Sequence, residues 1–140
     1  MKDYRWEDLQ VGLREQFEVG LCEEMMATFL RLSQDSNPLH HDLSFAHACG
    51  HPSPVAFGLL TSAFYSRLVG VHLPGKYALL QGIDIDFVSP AYVGDLLCVS
   101  GEVRFLSEAV RRVELKAEIR TSQGRQVSRA RIRVGLHHGA

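Results

Sequence analysis

The fifteen residues at positions 55–69 carry a single charge, on Arg67, and a helix that is apolar nearly all round has to be enclosed by other structure. The chain that could enclose it comes directly afterwards. Val113, Leu115, Ala117 and Ile119 alternate with Glu114, Lys116, Glu118 and Arg120, the period of a strand with one face in a core and the other in water. Ser122-Gln123-Gly124 then turns the chain into a second alternating run, with Ala130, Ile132 and Val134 set against Arg129, Arg131 and Arg133, so the two runs predict a long hairpin. Upstream, Leu97, Val99, Gly101, Val103 and Phe105 are expected to share one face of a strand, and Ile83, Ile85 and Phe87 one face of the strand before it. Pro90 and Gly94-Asp95 separate those two, as residues that break a ladder or make a turn. Four consecutive strands thus fill residues 77–137, and a further short one is expected at 13–19.

A shorter helix is predicted over residues 23–32, with Met26, Phe29, Leu30 and Leu32 mostly on one side. It stops ahead of Asp35-Ser36-Asn37-Pro38 because the residue before a proline resists the α region. Two early helices and four later strands describe an α+β domain, with one long central helix wrapped by a curved antiparallel β-sheet, the hotdog architecture. A ferredoxin-like sandwich would need its elements to alternate as β-α-β-β-α-β, and they do not. At 140 residues the chain is expected to form one domain over 1–140.

Composition narrows the setting. The chain is 46% hydrophobic and 22% charged, as expected for a soluble globular protein. Asp3, Glu7 and Asp8 in the opening segment argue against a signal peptide. Thr61, Ser62, Ser66, Arg67 and His72 interrupt the longest apolar stretch, which argues against a membrane span. A cytoplasmic location is the expectation, with Cys22, Cys49 and Cys98 as reduced thiols in the core. Residues 1–100 hold 6 Lys/Arg against 12 Asp/Glu, and residues 101–140 hold 9 against 4. The basic residues of that second part fall mostly on alternate strand positions, among glutamates and without aromatic neighbours to stack bases, which points to a solvated sheet face and not to nucleic acid.

Between the helices, Asp35 and His40 lie five residues apart on a segment that Asn37-Pro38 forces to turn. An acid and an imidazole on such a bend can converge on one water molecule. The same residues can also do no more than end a helix, Asp35 capping the reversal and His40 sitting in solvent, so the rest of the chain has to decide.

The order of segments resembles the MaoC-like, (R)-specific enoyl-CoA hydratase family. Residues 29–40, Phe-Leu-Arg-Leu-Ser-Gln-Asp-Ser-Asn-Pro-Leu-His, look like its hydratase motif, and residues 57–63, Phe-Gly-Leu-Leu-Thr-Ser-Ala, open the central helix at the matching remove. Leu73-Pro74-Gly75, Asp86-Phe87-Val88-Ser89-Pro90 and Val93-Gly94-Asp95 follow. The resemblance implies syn addition of water to a trans-2-enoyl-CoA, giving the (R)-3-hydroxyacyl-CoA, or the reverse dehydration.

That chemistry needs a base for water, a proton for the α-carbon on the same face, and a donor for the charge that builds on the thioester oxygen. Asp35 and His40 match the family's catalytic pair. The imidazole, whose ordinary pKa lies nearest neutrality, is assigned as principal base, with Asp35 fixing the water and relaying the proton, although the opposite allocation satisfies the same chemistry. Gly58, near the start of the central helix, is expected to offer its backbone N–H as oxyanion donor. Asn37 is expected to stabilise the turn, and Ser62 and Ser66 share the helix face of Gly58; Ser66 matches a family serine that lines the site.

The chain departs from the family at Phe57, where many members carry histidine. Its His40, His41, His47, Cys49 and His51 invite a metal reading, yet their spacing fits no standard zinc pattern, and neither metal nor cofactor is expected. Two alternatives stay open: dehydration of a 3-hydroxyacyl group on an acyl carrier protein, and a non-catalytic acyl-thioester-binding subunit of the same fold. The resemblance also implies a homodimer with sheets joined edge to edge.

Overall fold

The computed structural model describes residues 1–137. Five strands, β1 (Arg14–Gly20), β2 (Ala78–Phe87), β3 (Leu96–Ser107), β4 (Arg112–Thr121) and β5 (Gln126–Leu136), form one antiparallel sheet in the order β1-β3-β4-β5-β2. Three helices, α1 (Glu23–Ser33), α2 (Leu43–Ala48) and α3 (Gly58–Arg67), lie between β1 and β2 in the chain. The architecture is the hotdog arrangement of α+β class, with α3 against the inner face of the sheet.

Alternation produces the core. Cross-strand pairs Val99↔Ile119, Leu115↔Ile132 and Val113↔Val134 place fully buried side chains in rows across the inner face, where apolar cross-strand neighbours reinforce one another. Leu60 and Tyr65 of α3 pack on these rows, with Leu68 and Val69 from a π-helical turn, Leu68–His72, that prolongs the helix. Gly101 of β3 lets that turn come close. A side chain there would meet Leu68 Cδ2 at 2.8 Å. The phenol of Tyr65 is hydrogen-bonded to Ser128 Oγ at 2.8 Å, so both buried hydroxyls are satisfied.

On the solvent face, two basic residues of β5 meet carboxylates of the neighbouring edge strand β2. Arg133 pairs with Asp84 at 3.0 Å and Arg129 with Asp86 at 3.3 Å, while Arg120 pairs with Glu118 within β4 at 3.1 Å. Such exposed pairs contribute little stability one by one, and they account for much of the positive charge that the second part of the sequence concentrates.

Several expectations change in detail. The central helix starts at Gly58 and not at Val55, because Val55 bridges Tyr92 and the Ala56 N–H donates to Ala91 O, keeping both residues extended. Enclosure of that helix is one-sided: Leu59 is 67% exposed, and Ala63 and Ser66 on the same stripe are exposed too. Phe105 does not share the face of Val103. A β-bulge between them reverses the alternation and leaves Phe105 exposed, as an extra residue in one strand must. Leu32, in the last turn of α1, points to solvent. The thiols are free but outside the core, Cys22 and Cys49 exposed and Cys98 half-buried. Among the described residues no helix is long and apolar enough to cross a membrane.

Candidate active site

The end of α1 is built to reverse the chain. Gln34 takes the left-handed conformation (φ 59°) as C-cap, its N–H donating to Leu30 O at 2.9 Å, the usual way to close a helix whose last carbonyls lack partners. Ser33 Oγ donates to Phe29 O at 2.7 Å and accepts the Asp35 N–H at 3.1 Å. Asp35 Oδ1 then accepts the Asn37 N–H at 3.2 Å, and Asn37 Oδ1 accepts the Leu39 N–H at 3.0 Å, capping the short 3-10 turn Pro38–His40. Two successive side-chain-to-backbone turns of this kind bring Asp35 Oδ2 to 3.9 Å from His40 Nε2. That separation is too long for a direct hydrogen bond. It leaves both atoms able to reach one intervening water oxygen.

His40 is held from two directions. Its Nδ1 lies 2.7 Å from Val55 O, and since a carbonyl oxygen can only accept, Nδ1 carries the proton. Of the two neutral tautomers the bond therefore selects the one whose bare nitrogen is Nε2, facing Asp35, which is the tautomer a general base requires. Phe57, 2% exposed, stacks on the imidazole with centroids 4.2 Å apart, and Phe29 packs on Phe57 at 4.8 Å. Packing thus fixes the plane of the ring.

Gly58 is the first residue of α3, so its N–H has no intrahelical acceptor and the helix dipole favours negative charge there. Its carbonyl is held by two hydroxyls, Thr61 Oγ1 at 2.8 Å and Ser62 Oγ at 2.9 Å. Two clefts, of about 310 and 290 Å³, open at this point. Val55, Ala56, Thr61, Ser89 and Val127 help to line the first. Phe29, Ser33, Asp35, Phe57 and Leu59 line the second, and both share His40, Gly58 and Phe87.

Asp35, His40 and Gly58 therefore come together, with Asn37 in the turn beneath them and Ser62 on the Gly58 carbonyl. Ser66 does not join them. It lies two turns along α3 on the exposed stripe, away from both clefts. The histidines of the loop are occupied separately: His41 Nε2 lies 2.9 Å from Ser36 O, His47 Nε2 3.1 Å from Pro52 O, and His51 Nδ1 3.0 Å from Tyr92 Oη. Among the described residues no three of His, Cys, Asp or Glu gather as a metal site would require.

The family model described as "MaoC like domain" matches residues 9–131. The chain belongs to the MaoC-like family. This MaoC-like protein is 34% identical over 102 residues to the (R)-specific enoyl-CoA hydratase of Aeromonas caviae, an alignment covering 73% of this chain and 76% of that one. It is 32% identical over 110 residues to the 3-hydroxybutyryl-CoA dehydratase of Methylorubrum extorquens, covering 79% and 70%. Among solved structures, an (R)-hydratase from A. caviae involved in PHA biosynthesis superposes with a TM-score of 0.89 at 31% identity, covering 94% of this chain and 99% of that chain.

Sequence reasoning about this MaoC-like protein missed three contributors: the Val55 carbonyl, the Thr61 hydroxyl and the ring of Phe87. Thr61 could have been found, because a hydroxyl three residues after a helix-opening glycine can reach its carbonyl. The other two depend on contacts between distant segments.

Proposed function

We propose that the chain catalyses (R)-specific hydration of trans-2-enoyl-CoA to (R)-3-hydroxyacyl-CoA, and the reverse dehydration, with Asp35 and His40 as the catalytic pair and the Gly58 N–H as oxyanion donor. A water held between the two side chains attacks the β-carbon and loses a proton to His40 Nε2. The pair returns one proton to the α-carbon from the same side, so that addition is syn. Charge on the thioester oxygen meanwhile meets the open N–H at the start of α3. The observation that carries this reading is the 3.9 Å approach of Asp35 Oδ2 to His40 Nε2, with the imidazole tautomer held by Val55 O. The two relatives named above, both CoA enzymes by name, favour CoA over a carrier protein as acyl carrier.

The test follows the loss of enoyl absorbance with crotonyl-CoA and crotonyl carrier protein, and determines the configuration of the product. Rapid loss with crotonyl-CoA, an (R)-product and near-silence of Asp35→Asn are expected. Retained activity in Asp35→Asn, or an (S)-product, would sink the proposal, and a large preference for the carrier protein would reassign the substrate.

The same reading includes a homodimer. It is supported by the uncovered stripe of α3, with Leu59 and Ala63, and by Leu79 and Leu80 exposed on the edge strand β2, apolar surface of a kind that marks association. Sedimentation should give twice the 15.7 kDa chain mass; a monomer at micromolar concentration would refute it.

A further inference from the structure

Phe87 ends β2 beside the opening of α3. Its ring packs directly on Gly58: a side-chain carbon built on that glycine would lie 3.0 Å from Phe87 Cε1 and 3.1 Å from Cζ. The ring belongs to the walls of both clefts, which otherwise share only His40 and Gly58. It is the bulkiest group at the junction and, at 54% exposed, it is not part of the packed core.

An acyl thioester whose carbonyl oxygen meets the Gly58 N–H and whose β-carbon meets the Asp35–His40 pair has to place its α-carbon at that junction. The Phe87 ring lies against Gly58 at that junction, so a substituent on the α-carbon competes for the space the ring occupies. We propose that Phe87 is a specificity-determining residue that selects acyl groups unbranched at the α-carbon. The inference rests on the Asp35–His40–Gly58 reading for where the acyl group lies.

The test uses binding, so that it does not depend on turnover. Butyryl-CoA and isobutyryl-CoA are isomers that differ in branching at the α-carbon, and neither can be hydrated. Their dissociation constants are measured by calorimetry for wild type, Phe87→Leu and Phe87→Ala, with folding checked by thermal melting. Wild type is expected to prefer butyryl-CoA by about tenfold, the scale on which one misplaced methyl group is discriminated. Phe87→Ala should bring that preference to within about twofold, with Phe87→Leu between. An unchanged ratio in Phe87→Ala overturns the proposal, as does a wild type with no preference or with affinity for neither isomer. A shifted ratio in a protein that fails to hydrate crotonyl-CoA leaves the selector standing and removes the hydratase reading, so the two failures are distinguishable.

Discussion

His40 Nδ1 donates to the carbonyl oxygen of Val55, fifteen residues further along the chain, at 2.7 Å. The bond ties the loop after α1 to the segment that leads into α3, and it decides which imidazole nitrogen faces Asp35. With the imidazole in its neutral form, 15N spectra should show His40 protonated at Nδ1 and bare at Nε2; the opposite tautomer would remove His40 as the base.

Asp35 and His40 act as a unit in the proposed reaction. Asp35→Asn and His40→Gln should each lower kcat about 100- to 10,000-fold with little change in KM. The double variant should be no worse than the poorer single variant within about threefold, because removing either partner already disables the pair. Losses that multiply would mean that the two residues work independently.

At Gly58 the backbone conformation suits any residue, and the obstacle to a side chain is the ring of Phe87. Gly58→Ala should fold with a melting temperature close to wild type, since the half-exposed ring has to give by only a few tenths of an ångström to admit the methyl group. Its kcat/KM should nevertheless fall by about 100-fold or more, as the added methyl group keeps the thioester from the N–H. A fully active Gly58→Ala enzyme would move the oxyanion site elsewhere.

Phe57 is buried between His40 and Phe29. Phe57→Ala should lose about 3–5 kcal/mol of stability in denaturant titrations, the range for an aromatic ring removed from a core. Below its lowered melting point the variant should show a larger deficit in kcat than in KM, since what is lost is the orientation of the base. A stability change under about 1 kcal/mol would contradict the packing described here.

Tyr65 offers a pH-dependent signature of the core. Burial pushes its phenol from the ordinary value of 10.0 up to about 12, partly offset by the hydrogen bond to Ser128. Between those two values the unfolded chain has released the proton and the folded chain has not, so the native state binds more protons and stability falls as pH rises. The contribution is complete below pH 10 and is lost as pH passes 12. Urea unfolding from pH 9 to 11.5 should show this decline in wild type and a shallower one in Tyr65→Phe; parallel curves would rule it out.

Much of this was legible in the chain because its signals are local. Alternation in 112–121 and 126–136 has the period of strands buried on one face, and Asn37-Pro38 dictates a turn whatever surrounds it. The departures share a different cause. Phe105 fits the alternation of β3 until a bulge, set by pairing with β4, reverses it. Val55 and Ala56 come just before the helix, but the Val55 N–H donates to Leu39 O and the Ala56 N–H to Ala91 O. Phe87 continues the apolar alternation of β2, and only the packing of its strand end against α3 makes it a wall of the cleft. Each is decided by a partner on a different segment of the chain, which periodicity cannot reveal.

Two of the polar contacts described above, the Val55 carbonyl that holds the imidazole and the open N–H of Gly58, belong to the main chain. Substitution cannot delete a carbonyl, and short of proline it cannot delete an N–H. A deep mutational scan should therefore register Asp35 and His40 sharply and stay nearly mute at Val55, where most apolar replacements keep the atom that matters. The Val55 carbonyl is thus invisible to genetics, and its position is free to drift in sequence as long as the path of the backbone is preserved.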